Sequence, residues 1–313
     1  MHAFLEWQCR RSGLCHNGGC VLEIQILASL SLPLLLLSSA LSFMSDSCFF
    51  LTALESSLTH AVDVRWVRET GSTNDDLKLW AHQRGFDKPV LLTADYQTAG
   101  RGTRGRVWRN VHQSLIFSLG LPFTAALRAR APGLLSIAAA MGAAGALSRA
   151  AMRKVFVKWP NDVWAEGGKA GGILLESVQD EEGRSSLIIG IGLNLEVESG
   201  GTTSSGWPIR APAFLMNPRD PQFRGELLAM LVDDLLEVFK SLEDEDGVGR
   251  LFERWRLYDA FYGKEVLWRE LDSGRTALGI DCGIDAEGRL IMQRSGAEGL
   301  HFLSGELVSL ANS

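Results

Sequence analysis

Apolar and polar side chains alternate regularly from Val62 onward, and this pattern predicts the first element of the fold. Over residues 62–66 the apolar side chains are separated by charged ones, which is typical of a half-buried strand. Residues 71–76 then predict a turn into a helix over about 74–83, because Ser, Thr and Asn cap helices and two aspartates favour the positive end. Apolar runs predict further strands at 89–93, 114–121, 155–158, 172–178 and 186–195.

Two longer apolar segments predict helices. Residues 134–152 are rich in alanine and leucine, as expected for a buried helix. Residues 223–242 place apolar side chains three to four positions apart, which predicts an amphipathic helix. The acidic run at 243–246 is predicted to be a solvated surface without a function.

Frequent glycines change the pattern near Tyr258. The short apolar segments beyond it fit the strands of a small β-barrel. We therefore expect an α/β or α+β domain over residues 62–257 and a small all-β domain over residues 258–313. The strands of the second domain are predicted around Glu265, Ala277, Arg289 and His301.

The first 61 residues do not resemble the rest of the chain. Residues 24–43 carry no charge, and their length suits a membrane span or the core of a signal peptide. Arg10 and Arg11 precede this run, as a signal would require, but a glutamate adjoins it and a proline interrupts it. Three readings stay open: an anchor, a targeting segment, or translated sequence upstream of a true start at Met44.

Composition excludes some classes of function. The chain has 313 residues, of which 46% are hydrophobic and 22% charged, as in ordinary globular proteins. Its formal net charge of −6 argues against a general nucleic-acid binder, which usually carries a basic surplus. The five cysteines fit no common zinc pattern and are too few for a disulfide framework, so we expect a reducing, cytoplasmic location.

Residues 100–108 read Gly-Arg-Gly-Thr-Arg-Gly-Arg-Val-Trp, and we call this segment the Arg-Gly loop. Arginine is a permanently charged donor fork suited to carboxylate and phosphate oxygens, and glycine allows close approach of the backbone to a ligand. The loop therefore suits closure over an anion. Basic Arg-Gly runs also contact nucleic acid nonspecifically, but arginines concentrated in one loop of an acidic chain favour a local anion site.

Four more segments carry chemistry, and each also has a plain structural reading. Residues 72–74 offer short hydrogen-bonding groups at a helix start, or they simply cap the helix. Residues 158–162 form a turn that would present Asn161 and Asp162, or an ordinary surface turn. Asp162 is a candidate Mg²⁺ contact, because Mg²⁺ prefers carboxylates, waters and phosphates.

The other two segments are rich in glycine. Residues 167–172 place Lys169 between glycine pairs, either as a point charge for a carboxylate and a phosphate or as an exposed side chain on a flexible hairpin. Residues 190–194 read Gly-Ile-Gly-Leu-Asn. Glycines in a strand let a flat ligand lie against the backbone, or they allow a neighbouring element to pack closely.

Together these segments resemble the biotin–protein ligases, the biotin–[acetyl-CoA-carboxylase] ligase family, in its form without an N-terminal DNA-binding domain. Order and spacing agree: Gln97 lies three residues before Gly100, and Lys169 lies eleven residues after Lys158. The resemblance runs from about Val64 to the C-terminus. It implies a mixed-sheet, class II synthetase-like catalytic domain over 62–257 and an SH3-like β-barrel over 258–313.

The resemblance also implies a two-step reaction. The biotin carboxylate attacks the α-phosphate of ATP to give biotinyl-5′-AMP, and a lysine of a biotin carboxyl carrier protein then takes the biotinyl group. Lys169 and Arg101 are the implied catalytic cations, and Asp162 would contact Mg²⁺. The implied biotin contacts are Ser72, Thr73, Asn74, Gln97, Gly100, Arg101, Gly102, Thr103, Trp108, Lys169, Gly171, Gly190 and Gly192. The implied ATP contacts are Arg104, Arg106, Asn161, Asp162, Asn194 and Trp207.

Two departures from the family pattern matter. Thr103 stands where the family usually has a second arginine, which predicts faster escape of biotinyl-AMP unless Arg104 compensates. Residues 1–61 show no recognition-helix pattern, so we expect a ligase without repressor activity and without specific DNA binding. The alternatives are a lipoate ligase and a biotin- or nucleotide-sensing protein that no longer catalyses. The resemblance also allows a homodimer.

Overall fold

The computed structural model describes residues 34–108, 113–165, 168–195, 219–271, 273–294 and 299–309. The chain divides into two units, Met1–Cys48 and Phe49–Ser313, and helix α1 (Leu34–Ser57) extends from the first into the second. Residues 24–33 of the uncharged run lie outside the described residues, and residues 34–43 belong to α1. The three readings of the N-terminus stay predictions.

A mixed sheet of seven strands organises the larger part of the second unit. Its order is β1-β2-β3-β7-β6-β5-β4, with β1 and β2 parallel and every other neighbouring pair antiparallel. The strands are β1 (Asp63–Thr70), β2 (Val90–Gln97), β3 (Ser114–Pro122), β4 (Phe156–Lys158), β5 (Asp162–Ala165), β6 (Gly168–Gln179) and β7 (Ser185–Asn194). This confirms the predicted α+β class with a mixed sheet.

Helices cover both faces of this sheet, because the central strands are apolar on both faces. The helices are α2 (Thr73–Arg84), α3 (Ala125–Arg128), α4 (Pro132–Ala151), α5 (Pro221–Ser241) and α6 (Glu245–Tyr258). On one face α2 packs through Leu77 against Leu92 and Ile188. On the other face α4 and α5 join the main core, in which Leu91 and Ile189 are fully buried.

Helix α4 is the one helix among the described residues that is long and apolar enough to cross a membrane. Within its most apolar window 78% is buried inside the fold. Its alanines allow close packing against α5 and the sheet. Helix α4 is therefore the central core helix, as its composition predicts.

The C-terminal part forms an antiparallel sheet of five strands in the order β11-β10-β9-β8-β12. Its apolar side chains belong to the same core as the first sheet, and the Trp159 indole donates to the carbonyl of Gly288 at 3.0 Å. The SH3-like closure and the boundary near Tyr258 stay predictions. The strands are β8 (Glu265–Arg269), β9 (Thr276–Ile284), β10 (Leu290–Gln293), β11 (Leu300–Phe302) and β12 (Glu306–Ser309).

Two buried carboxyl groups lie where this sheet meets the end of α6. Asp259 accepts from the Phe261 amide at 3.0 Å, and Asp281 on β9 accepts from the Gly283 amide at 2.8 Å. Burial raises the pKa of both carboxyl groups above their usual values, and the nearby Asp259 carboxylate raises the pKa of Asp281 further.

The structure adds elements that the sequence pattern missed. Strand β5 has only four residues and follows the turn at Pro160 directly, so its apolar run is too short to show a period. Helix α6 begins inside the acidic run that we predicted to be a plain solvated surface. The Asp244 carboxylate accepts from the Gly247 amide at 2.5 Å and caps this helix, while all four residues of the run are exposed, as predicted.

Candidate functional site

The N-terminus of α2 forms the centre of the site. Ser72 caps the helix by accepting from the Asp75 amide at 3.4 Å, so the plain reading of this residue holds. The next residue, Thr73, donates its backbone N–H and its hydroxyl to the amide oxygen of Gln97, at 2.8 and 3.1 Å. All three of Ser72, Thr73 and Gln97 are buried. The helix start and the end of β2 are thereby fixed to each other.

Ser118, in the middle of β3, orients the side chain of Asn74. The Ser118 hydroxyl is fully buried, donates to Asn74 Oδ1 at 2.6 Å and lies 2.7 Å from the Thr73 hydroxyl. Because the amide oxygen of Asn74 takes this bond, its Nδ2 faces Glu176 on β6, 2.9 Å from Oε2. We call the group of Thr73, Asn74, Gln97 and Ser118 the polar pocket. Its uncharged donors and acceptors suit a neutral ligand with both kinds of group.

Two glycines of β7 make room for side chains of the site. A Cβ on Gly190 would lie 2.1 Å from Asn74 Oδ1, and a Cβ on Gly192 would lie 2.4 Å from the Trp108 indole. Close packing therefore accounts for both glycines, as their plain reading proposes. Asn74 and Trp108 lie directly against these two glycines. The predicted contact of the glycines with a ligand stays a prediction.

The Arg-Gly loop folds back on itself as a hairpin. The Trp108 amide donates to the Gly100 carbonyl at 2.9 Å, and the Gly102 amide donates to the Arg106 carbonyl at 2.7 Å. At the tip, Arg104 and Gly105 have φ of 59° and 70°, in the left-handed region. Trp108 ends the loop over the sheet, with its indole nitrogen buried and without a partner among the described residues.

Arg101 lies outside the polar pocket, against two carboxylates. Its Nε and Nη2 donate to the Asp75 carboxylate at 3.0 and 2.6 Å, and Nη2 also lies 2.6 Å from Glu176 Oε2. Lys78 approaches the other oxygen of Glu176 at 2.9 Å. Burial acts to raise the pKa of Glu176, but hydrogen bonds from Asn74, Lys78 and Arg101 outweigh it and hold the pKa below its usual value.

Lys169 lies on β6, and its side chain forms an ion pair with Asp162, the first residue of β5. Its Nζ donates to Asp162 Oδ1 at 2.5 Å, and both side chains are less than one-fifth exposed. A Cβ on Gly172 would lie 3.3 Å from Lys169 Nζ and 3.6 Å from the Trp108 ring. Lys169 therefore lies beside Trp108, between the polar pocket and the region described next, and the exposed-hairpin reading of this lysine was wrong.

A cleft of about 160 Å³ opens beyond Lys169, between the Arg-Gly loop, the turn after β4 and the loop before β12. We call it the charged cleft, because cations and carboxylates line it together. The polar and charged side chains that line it are Thr103, Arg104, Arg106, Ser136, Lys158, Asn161, Asp162, Ser304 and Glu306. Thr103, predicted as a biotin contact, thus lies among the predicted nucleotide residues, and its hydroxyl accepts from Arg106 at 3.1 Å.

Lys158 is the most deeply buried cation of the charged cleft, at 3% exposure. Its Nζ lies 3.9 Å from Glu306 Oε1 and 5.2 Å from the centre of the Trp164 ring. Burial lowers the pKa of Lys158, an effect that Asp162 and Glu306 oppose and that Lys169 reinforces. A buried ammonium group of this kind is a ready partner for phosphate oxygens.

Asn161 and Asn194, both predicted as ATP contacts, are buried in the structure. Asn161 is buried, and its Nδ2 donates to the Ile173 carbonyl at 2.7 Å, so it ties the turn to β6. Asn194 is buried at the end of β7, and its Oδ1 has no partner among the described residues. A buried acceptor without a donor is costly unless a ligand or water supplies one. Asn194 is therefore the better candidate of the two for a ligand contact.

The structure brings most of the predicted residues together and adds four. A Cβ on Gly171 would lie 2.6 Å from the Gly192 carbonyl, so close packing accounts for this glycine too. Trp207 lies outside the described residues. The residues that sequence reasoning missed are Ser118, Lys158, Glu176 and Glu306. A polar residue inside an apolar strand run was a usable signal for Ser118 and Glu176, whereas nothing local marks Glu306.

Comparison with known proteins identifies the family of the chain. A model of the biotin/lipoate A/B protein ligase family matches residues 66–194. The biotin–[acetyl-CoA-carboxylase] ligase of Mycobacterium tuberculosis is 30% identical over 239 residues, which are 74% of this chain and 83% of that protein. The bifunctional ligase/repressor BirA of Escherichia coli is 30% identical over 210 residues, 65% of this chain. This second match spans only 61% of the bifunctional protein.

A solved structure shares the fold. Biotin protein ligase from Aquifex aeolicus, solved in complex with biotin and ATP, superposes with a TM-score of 0.63. The superposition covers 79% of this chain and 97% of the other, at 22% sequence identity. At that identity the likeness concerns the architecture alone.

Proposed function

The chain belongs to the biotin/lipoate A/B protein ligase family, among the biotin–[acetyl-CoA-carboxylase] ligases, and on this premise we propose that it activates biotin with ATP and transfers it to a protein lysine. The observation that carries the proposal is the position of Lys169. It lies between an uncharged hydrogen-bonding pocket and a cleft lined by cations and carboxylates. A neutral ring and a triphosphate would thus be held on either side of one ammonium group.

The polar pocket fits the ureido ring of biotin by its chemistry. A cyclic urea offers one carbonyl acceptor and two N–H donors, and the pocket offers hydroxyl and amide groups of both kinds. The Trp108 indole and the glycines of β7 would receive the apolar part of the molecule. The carboxylate at the end of the side chain would then reach toward Lys169.

Lys169 would serve the first chemical step. A carboxylate oxygen of biotin attacks the α-phosphorus of ATP, the bond from that phosphorus to the bridging oxygen breaks, and pyrophosphate leaves with the electron pair. Two anions must meet, so a fixed cation lowers the barrier where charge collects. Lys158 and Arg106, which line the charged cleft, would neutralise the departing phosphates.

A magnesium ion fits this site only as a partner of the nucleotide. No group of three or more His, Cys, Asp or Glu side chains that could hold a metal occurs in the part of the chain that the structure describes. Mg²⁺ commonly binds through one or two carboxylates together with substrate phosphates. Asp162 and Glu306 line the cleft and would supply those carboxylates, and the ion would supply charge neutralisation of the triphosphate.

In the second step the acceptor lysine attacks the carbonyl carbon of biotinyl-5′-AMP, an amide forms and AMP leaves. We propose a biotin carboxyl carrier protein of acetyl-CoA carboxylase as the acceptor, as the names of the relatives suggest. The cytoplasmic location, the homodimer and the lack of repressor activity stay predictions. A salt-sensitive, sequence-specific shift of DNA would contradict the last of these.

The proposal is tested by transfer to a carrier domain. The full chain is incubated with ATP, Mg²⁺, biotin and a biotin carboxyl carrier protein, and the carrier is analysed by mass spectrometry. We expect one biotinyl group on one lysine of the carrier. We expect no lipoyl group when lipoate replaces biotin, and no biotinyl group when that lysine is replaced. Equal transfer of lipoate would indicate the other branch of the family, and biotin binding without pyrophosphate release would indicate a sensing protein.

A further inference from the structure

The side chain of Arg101 is directed at two carboxylates beside the polar pocket that its loop borders. It forms a side-on pair with Asp75 in the first turn of α2 and a second contact with Glu176 on β6. A guanidinium that contacts two carboxylates in this way has its donor fork largely engaged. Arg101 is therefore placed to hold the loop, and its charge is directed at the protein.

The contacts of Arg101 fall at the point where the Arg-Gly loop leaves the sheet. Immediately before it, the Ala99 amide donates to the Gly71 carbonyl at 2.8 Å. Immediately after it, the hairpin bonds of Gly102 and Trp108 begin. A tether at this position fixes the base of the hairpin, so it also sets where Trp108 and Thr103 lie.

Glu176 connects this tether to the polar pocket. One of its oxygens, Oε2, is shared by Arg101 Nη2 at 2.6 Å and Asn74 Nδ2 at 2.9 Å. Asn74 in turn is oriented by Ser118. The position of the loop and the orientation of a pocket amide therefore depend on the same carboxylate, which is only 19% exposed.

From these contacts we propose that Glu176, with Asp75, is a positioning residue that anchors the Arg-Gly loop through Arg101. Arg101 thus acts on the reaction through the loop and does not contact the biotin carboxylate. This inference rests on the proposed function for its kinetic consequences. It predicts that loss of the anchor releases biotinyl-5′-AMP faster, and that this dissociation rate changes more than the rate of the chemical step, which depends on Lys169.

The first arm of the test needs no substrate. Hydrogen exchange of the Gly102 and Trp108 amides is measured in the wild type, Glu176→Gln and Arg101→Met. We expect exchange to be faster in both variants, because the hairpin opens more often without its tether. Arg65→Met is the matched control, since Arg65 pairs with Asp63 and is as exposed as Arg101, at 37% against 36%. Unchanged exchange in both variants would overturn the proposal.

The second arm measures biotin and ATP turnover in the same proteins and in the double variant. We expect each single change to raise the dissociation rate of biotinyl-5′-AMP about tenfold, which corresponds to about 1.4 kcal/mol. The double variant should match Arg101→Met, because Glu176 acts on the loop through Arg101. The rate of adenylate formation should change less than this dissociation rate does, and Arg65→Met should change neither rate more than twofold.

The opposite pattern would show direct contact with the substrate. If Arg101→Met slows adenylate formation a hundredfold while Glu176→Gln does not, Arg101 contacts the reacting carboxylate and the anchor is wrong. Effects that multiply in the double variant would contradict it as well. If the wild type forms no adenylate, the proposed function fails. Hydrogen exchange of the Gly102 and Trp108 amides still tests whether Glu176 anchors the loop.

Discussion

The polar pocket and the charged cleft lie on either side of Lys169, and they are held by opposite kinds of interaction. The pocket is uncharged, and it consists of side chains from a helix start and two strands that hydrogen-bond one another. The cleft pairs a buried Lys158 with carboxylates from a distant sheet and a turn. Uncharged groups that hydrogen-bond one another can be buried in the core of a fold. A buried ionised side chain needs partners of opposite charge, which here come from several segments of the chain.

Removing the cation between the two regions should have the largest effect. We expect Lys169→Met to slow adenylate formation by about 10²–10³-fold, since a lost electrostatic contact to a developing charge typically costs that much. Biotin affinity should change only severalfold. Single-turnover kinetics with biotin and ATP measures the first quantity and calorimetry the second.

Lys240→Met, on an exposed position of α5, is the control for a lost lysine charge. A fall of less than fivefold in Lys169→Met would place the catalytic charge elsewhere in the cleft.

Filling the floor of the site should harm biotin binding alone. In Gly192→Ala the new methyl group would meet the Trp108 indole at 2.4 Å, too close for any small adjustment. We expect the KM for biotin to rise at least tenfold and the KM for ATP to stay within twofold. Gly249→Ala is the matched control, because nothing lies within 4 Å of a Cβ there. An equal rise of both KM values would show that the two regions are not independent.

Deleting one hydroxyl of the polar pocket tests its hydrogen bonding. Ser118→Ala leaves the Asn74 amide oxygen buried without its donor. A group left in this way costs about 1 kcal/mol or more, so biotin affinity should fall roughly fivefold. Isothermal titration of biotin measures the change, and Ser118→Thr, which keeps a hydroxyl, should lose less. An unchanged affinity would remove Ser118 from the pocket.

Binding of ATP in the charged cleft should depend on pH, whereas binding of biotin in the polar pocket should not. Because burial lowers the pKa of Lys158, its ammonium group loses its proton at a lower pH than an exposed lysine. The KM for ATP should therefore rise severalfold at a pH below the range in which an exposed lysine loses its proton, while the KM for biotin stays level. Lys158→Arg keeps the charge and should flatten the profile. A profile that Lys158→Arg leaves unchanged would assign the effect to another group.

The smallest effect is expected at the tip of the Arg-Gly loop. Thr103→Arg restores a cation beside Arg104 and Arg106, and partly exposed ion contacts are worth about 0.2–1 kcal/mol each. Escape of biotinyl-5′-AMP should therefore slow about two- to fivefold. Stopped-flow dissociation measures it, and equal rates would show that Thr103 does not weaken retention.

The sequence pattern predicts the sheet and helices well where a buried face is long. Helices α4 and α5 and strands β3 and β7 lie within two residues of their predicted bounds. Strand β6 begins at Gly168, four residues earlier than predicted, because glycines weaken the apolar signal there although the backbone still pairs with β5. Strand β12 is missed because four residues show no period.

The site was predictable from local motifs only in part. Thr73, Asn74 and Gln97 are marked by the turn and helix signals around them, and the structure joins them directly or through Ser118. The direction of Arg101 was not predictable, because it depends on Glu176, which lies 75 residues further along the chain. The Lys158–Glu306 pair likewise depends on how the second sheet packs.

We propose that one ammonium group, that of Lys169 between a neutral pocket and a charged cleft, activates a carboxylic acid with a nucleotide. Biotin-dependent exchange of labelled pyrophosphate into ATP tests this most directly, in the wild type and in Lys169→Met. We expect exchange in the wild type only when biotin is present, and its loss in the variant although biotin still binds. Exchange that does not need biotin, or that survives the removal of Lys169, would rule out this role of the lysine.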